Sequence, residues 1–254
     1  MNSLMTFFKN FVNRFGNHRK EKLFSFLLIS TIFVHIFAFS LSEITDGSIW
    51  TYGDRYVQQK ELFSLGFDGG YFEHYQYIIL LWCSLLSFLI TIKQSKKVFN
   101  IFIIYSFLFL DDALSFHDRA YGKIISIFSN TFLFQSDFLR SKDFAEIIFW
   151  LIVFVLCILI SLKSFIFGNQ KEKKFIVENF KFFFLLAFFG KFIDILVSNI
   201  DVWFTALGIF SRVKNNLQQM LYYVEEIGEI FVLSLICLWL FQVASNNILR
   251  STKN

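Results

Sequence analysis

Four ionisable side chains, Asp111, Asp112, His117 and Asp118, stand in the stretch "FLFLDDALSFHDR", at the end of a run apolar enough to lie in lipid. A second set, Glu225, Glu226 and Glu229, follows Tyr222 in "YYVEEIGEIF". One charged carboxylate near a bilayer centre costs about 2.5–3.5 kcal/mol even on lenient scales, and several together repel. Such groups need protons, a cation or water to coexist. Carboxylate oxygens with one or two imidazoles suit a divalent metal, and spacing alone leaves Zn, Mn, Mg, Ca and Fe all open. A metal-polarised water attacking an ester, amide or phosphoester is the chemistry such a centre would do. In that reading Asp111, Asp118, Glu225 and Glu229 are metal ligands, His117 is a ligand or acid/base, and Glu226 is the general base.

Helical geometry, at 100° per residue, decides which of these groups can face one way. Asp111 and Asp118 are seven apart and nearly eclipse, with Ser115 on the same line. Asp112 and His117 fall elsewhere around a continuous helix. Tyr222, Glu225, Glu226 and Glu229 span one face, and Lys191, Asp194, Ser198 and Asp201 form another narrow polar stripe. Glu73 and Gln76, in "DGGYFEHYQY", bring further polar groups to the same depth. Lys191 can neutralise one carboxylate, most simply Asp194 one turn along.

The elements that must position these residues are membrane helices. A chain of 254 residues with 56% hydrophobic and 21% aromatic side chains and a mean hydropathy of +0.55 exceeds what a soluble core requires. The 39 Phe and the absence of Pro follow codon bias and carry no functional weight. Six runs, near 23–42, 74–92, 98–117, 145–162, 180–199 and 219–243, approach the roughly 20 residues that cross a hydrocarbon core. The expected fold is therefore all-α: an integral membrane bundle of six transmembrane helices over 23–244. A cytoplasmic amphipathic segment, 1–22, precedes it, with Phe7, Phe8, Phe11 and Phe15 at helical spacing, and a cytoplasmic tail, 245–254, follows. The first run reads as a retained helix rather than a signal peptide, since no small-residue cleavage site follows it.

Lys and Arg set the orientation. Fifteen fall in the N-terminal segment, the 93–97 turn, the 163–181 segment and the tail, against eight in the alternate loops. Both termini are expected inside, which puts the carboxylates at the outer ends of their helices. The inner halves read as almost purely apolar. Arg140, Lys142 and Asp143 read as solvated loop charges. Cys83, Cys157 and Cys237 lie mid-span on separate helices, as small apolar residues would.

"DGGYFEHYQYIILLW", "FLDDALSFHDR" and "YYVEEIGEIF", in this order, resemble a layout of bacterial polytopic membrane proteins: a D-G-x-x-E-x-x-Q start, a D-D-x-x-x-x-H-E/D helix and a late E-E-x-x-E helix. The resemblance implies a multi-pass protein of the bacterial inner membrane and draws attention to Glu73, Gln76, Asp111, Asp112, His117, Asp118, Glu225, Glu226 and Glu229. Asp68 stands two residues before Gly70, so the first stretch departs from the layout. No activity comes with it.

Three function classes fit: a metal-dependent hydrolase or transferase on a lipid or lipid-linked substrate, a cation or proton transporter, and a non-catalytic membrane partner with an acidic pocket. Phosphate-binding loops, a nucleophile elbow and nucleic-acid patches are absent from the sequence. Each polar group also has a structural explanation. His74 suits the headgroup interface, Asp118 with Arg119 a helix end, and the Glu225–Glu229 stripe a favourable helix dipole.

Overall fold

The structure is a computed structural model, and it describes residues 49–52, 55–58, 71–128, 139–206, 211–246 and 249. Apart from one short hairpin, these residues are helical. β1 (Ile49–Tyr52) pairs antiparallel with β2 (Arg55–Gln58), Ile49 opposite Gln58 and Tyr52 opposite Arg55. The helices are α1 (Tyr71–Lys93), α2 (Phe99–Leu114), α3 (Phe116–Phe128), α4 (Ser141–Phe167), α5 (Gln170–Ala187), α6 (Ile193–Ala206) and α7 (Ser211–Asn246). A π-helical turn, Phe188–Phe192, joins α5 to α6.

Among the described residues, three helical segments, Glu73–Lys93, Ser141–Phe167 and Met220–Asn246, are long and apolar enough to cross a membrane. The bent pair Lys96–Leu114 and Phe116–Phe128 makes a fourth if counted as one span. The expected span at 180–199 is helical but carries Lys181, Lys191 and Asp194. The 23–42 span and the N-terminal segment lie outside the described residues.

Burial explains the layout. Every residue from Val232 to Leu240 is buried, two and a half turns with no exposed side, so α7 runs through the centre of the bundle. Phe175 stacks on its Trp239 at 5.0 Å between ring centroids. α4 is the opposite case: Leu151, Ile152, Leu156 and Leu159 are exposed while Val153 and Ser161 are buried. An apolar surface of that width needs hydrocarbon around it.

The helix ends are satisfied locally. Asn169 and Glu172 form a reciprocal capping box at the start of α5, with bonds of 2.9 and 2.6 Å. Gln94 donates to the carbonyls of Val243 and Ala244 and accepts from the Leu249 amide, closing the last turn of α7.

Two expectations change here. The helix halves expected to be inner are not purely apolar. The Tyr105 hydroxyl donates to Asn179 at 2.9 Å, Asn100 donates to Ser161 at 2.8 Å, and Ser84 and Ser106 share a bond of 2.7 Å. Each pair joins two helices, where a polar group in hydrocarbon must find its partner on a neighbour, for about 0.6–2 kcal/mol. Asp143 is likewise no solvated charge. It is 2% exposed, accepts both arms of Arg140 at 2.9 and 3.0 Å, and accepts from Asn199 at 2.7 Å. That network ties the start of α4 to α6.

Candidate functional site

The site begins with a broken helix. α2 stops at Leu114 because Ser115 takes a left-handed conformation, φ 49° and ψ 47°, with its amide bonded to the Asp111 carbonyl. Left-handed backbone at a residue other than Gly costs about 1–2 kcal/mol. The chain then turns through 80° into α3. In an unbroken helix, residues six apart point about 120° away from each other. The break cancels that divergence, and His117 Nδ1 comes to 2.9 Å from Asp111 Oδ2. Asp118, which the continuous helix aligned with Asp111, is half exposed instead; its Oδ2 is 3.8 Å from His117 Nε2.

The imidazole is held on its other sides by rings. Tyr121 lies 5.5 Å and Trp150 6.4 Å from it between centroids, and the Trp150 indole N–H donates to the Tyr121 hydroxyl at 3.1 Å. Tyr121 and Ala145 anchor a small core between α3 and α4 that includes Phe149, so the ring shelf is fixed by packing.

The opposite wall comes from the π-helical turn and α7. A π turn is wider than an α turn and marks functional sites in many helices. Here it carries Lys191, whose Nζ sits 3.0 Å from Glu146 and 5.5 Å from the centre of the Trp150 ring. Gly190 abuts Glu229: a Cβ at Gly190 would lie 2.6 Å from Glu229 Oε1. One turn along the same contact, a Cβ at Gly228 would run into the Phe189 ring. Two glycines therefore let α7 and the turn approach closely, and the second oxygen of Glu229 accepts from Gln76 of α1 at 3.3 Å.

Together these elements enclose a cavity of about 220 Å³. Asp111, Asp112, His117, Lys191, Glu225 and Glu229 form its polar lining, and Leu80, Ile104, Leu108, Val153 and Phe183 are among its apolar residues. Asp111 Oδ1 is buried with no hydrogen-bond partner among the described residues. Burying carboxylates at this density is costly unless they are paired, and removing one partner of a buried pair costs about 3–5 kcal/mol. His117, Gln76 and Lys191 supply the visible compensation.

The remaining sequence-selected residues lie around this cavity rather than in its lining. Glu226 and Tyr222 are half-buried on α7, with Tyr222 packed against the main core. Glu73 accepts from the Tyr77 hydroxyl. Asp194 accepts from Ser198 at 3.5 Å, and Lys191 turns to Glu146 rather than to Asp194. Asp68 lies outside the described residues. Glu146, which the sequence places at the outer start of its helix with the other ionisable groups, joins the site through Lys191, whereas Trp150 and Gly190 belong to it without having been selected from sequence. The available signal was Glu146 alone in an apolar run with Trp150 four residues on, one turn along the same helix face.

Among the described residues, no group of three or more His, Cys, Asp or Glu is arranged to hold a metal ion. Comparison with protein families, with characterised proteins and with solved structures finds no match.

Proposed function

We propose that this chain is a membrane-embedded enzyme, a hydrolase or transferase acting on a lipid or lipid-linked substrate, with His117 as general acid/base and Asp111 as the residue that orients it. The observation that carries this reading is the 2.9 Å pairing of a buried carboxylate with an imidazole on the wall of a largely apolar cavity. In the tautomer whose Nδ1–H donates to Asp111 Oδ2, Nε2 is left as the basic nitrogen. Asp118, at 3.8 Å, stands beyond hydrogen-bond reach of Nε2. A water or alcohol beside Nε2 gives up its proton there as its oxygen bonds to the carbonyl carbon or phosphorus. The same proton then returns to the departing oxygen or nitrogen. The base role expected of Glu226 falls to His117 in this reading, because Glu226 lies outside the lining. The proton chemistry assigned here uses the chain's own groups.

The proposal includes six spans with both termini cytoplasmic in a bacterial inner membrane; it counts the bent pair as one span beside the three long apolar helices and adds segments 23–42 and 180–199. The distribution of Lys and Arg supports that orientation.

One observation favours a second reading, cation or proton transport. The buried pairs Tyr105–Asn179 and Asn100–Ser161 continue polar groups from the level of the cavity towards the other end of the bundle. Ion-dependent flux in liposomes, lost on Asn179→Leu, would support it. For the enzyme reading the test is turnover of a panel of lipid esters, amides and phosphoesters in nanodiscs, abolished by His117→Ala.

A further inference from the structure

We propose that the cavity recognises a primary ammonium group carried on an amphipathic molecule. This names a substrate class for the site and rests on the enzyme reading only for calling that molecule a substrate; the binding itself does not depend on it.

Charge comes first. Asp111, Asp112, Glu225 and Glu229 line the cavity, while the cationic side is one imidazole and the Lys191 ammonium, already shared with Glu146 at 3.0 Å. An excess of carboxylates is relieved by protons or by a cation, and a cationic ligand is what such a lining selects. A metal ion needs several ligand atoms converging on one point about 2.0–2.6 Å away, and no group of three such side chains among the described residues is arranged that way. An ammonium makes a looser demand. Its three N–H groups fan outwards and meet carboxylates lying in different directions at about 2.7–2.9 Å.

A second observation points to a hydrogen-bond donor rather than to charge alone. Asp111 is 2% exposed, its Oδ2 is taken by His117, and its Oδ1 is buried without a partner among the described residues. That oxygen requires a donor, which a primary ammonium has and a quaternary one lacks.

The aromatic wall fits the same ligand. Trp150, Phe154 and Phe183 line the cavity, and the chain's own ammonium, Lys191 Nζ, already rests 5.5 Å from the Trp150 ring centre. The site thus holds one ammonium between a carboxylate and an aromatic face. The rest of the lining, Leu80, Ile104, Leu108 and Leu233, suits hydrocarbon. About 220 Å³ is less than a drug-sized pocket of roughly 300–1,000 Å³, so only the head and first carbons fit inside. Phe154 belongs to the lining and is also 43% exposed on the lipid-facing helix, which marks where a tail would leave.

The test is calorimetric binding to the full chain in phosphatidylcholine nanodiscs, with empty nanodiscs subtracted, using octylamine, octyltrimethylammonium, octanol and MnCl₂. Octylamine should bind at least tenfold more tightly than either other octyl compound. Asp111→Asn should remove most of that preference and leave octanol unchanged. Glu229→Gln should weaken octylamine in the same sense should the Asp111 variant fail to fold. Equal binding of octylamine and octanol, or a preference for the trimethylated amine, would overturn the proposal. So would stoichiometric Mn²⁺ binding that excludes octylamine. Turnover of amine-free lipids without amine preference would sink this inference and leave the enzyme reading intact. Amine preference without turnover of any lipid would do the reverse.

Discussion

His117 Nδ1 and Asp111 Oδ2 stand 2.9 Å apart across a break in the helix that carries both residues. Ser115 makes that contact possible by accepting a left-handed backbone, and its cost is offset by what the contact and the turn into α3 provide. Replacing Ser115 with Gly should preserve the site and leave thermal stability in nanodiscs unchanged or slightly higher, since Gly adopts this backbone without penalty. Ser115→Val should cost about 1–2 kcal/mol and reduce turnover, because a β-branched residue resists positive φ. Equal stability of the two variants would mean that the break does not depend on this conformation.

The close approach of Gly190 to Glu229 makes a paired prediction. Gly190→Ala places a methyl where the Glu229 carboxylate sits, so the carboxylate must swing away and loosen its bond from Gln76. Melting temperature and turnover should both fall. Gly122→Ala is the control, because a Cβ there meets nothing within 4 Å. It should be neutral or stabilising by up to about 1 kcal/mol through helix propensity. Thermal unfolding of the two variants side by side checks this.

At the start of α4 the partners of one ion pair differ in burial: the Asp143 side chain is 3% exposed and that of Arg140 48%. Removing Arg140 strands a buried carboxylate, whereas Asp143→Asn leaves a solvated guanidinium and a neutral amide still able to bond Asn199. Arg140→Ala should therefore destabilise by about 3 kcal/mol, the lower end for a broken buried pair, and Asp143→Asn by less. The ranking in thermal unfolding is the test; the reverse order would contradict the account of this network.

Much of the architecture was readable from residue types. Long apolar runs with polar groups gathered at one end of each identify both the membrane class and the level of the site, because hydropathy is a local property. The break at Ser115 was not readable. Neither Gly nor Pro marks it, so a continuous helix was the natural assumption, and it paired Asp111 with Asp118 instead of His117. The Lys191–Glu146 pair was hidden for another reason. Local spacing offers Asp194 as the partner, and only the packing of α4 against the π-helical turn brings Glu146 closer. Asp143 looked like a loop charge because Asn199, which helps to bury it, lies 56 residues away along the chain.

Orientation gives a prediction independent of chemistry. Cys83 and Cys237 are fully buried and Cys157 is half-buried, so background labelling by an impermeant maleimide should be low. With both termini inside, Lys123→Cys should label from the outside of intact cells and Gln170→Cys only after permeabilisation. The opposite pattern would move the cavity to the cytoplasmic side.

The proton chemistry assigned to His117 stands or falls on turnover in nanodiscs by wild type, His117→Ala, Asp111→Asn and Asp118→Asn, measured on whichever lipid of the panel the wild type converts. A positioned acid/base contributes about 10²–10⁴-fold. His117→Ala should lose that much in kcat while remaining folded, Asp111→Asn should lose a comparable amount by leaving the imidazole wrongly oriented, and Asp118→Asn should stay within a few-fold of wild type. Wild-type kcat in the folded His117→Ala protein would contradict the account outright.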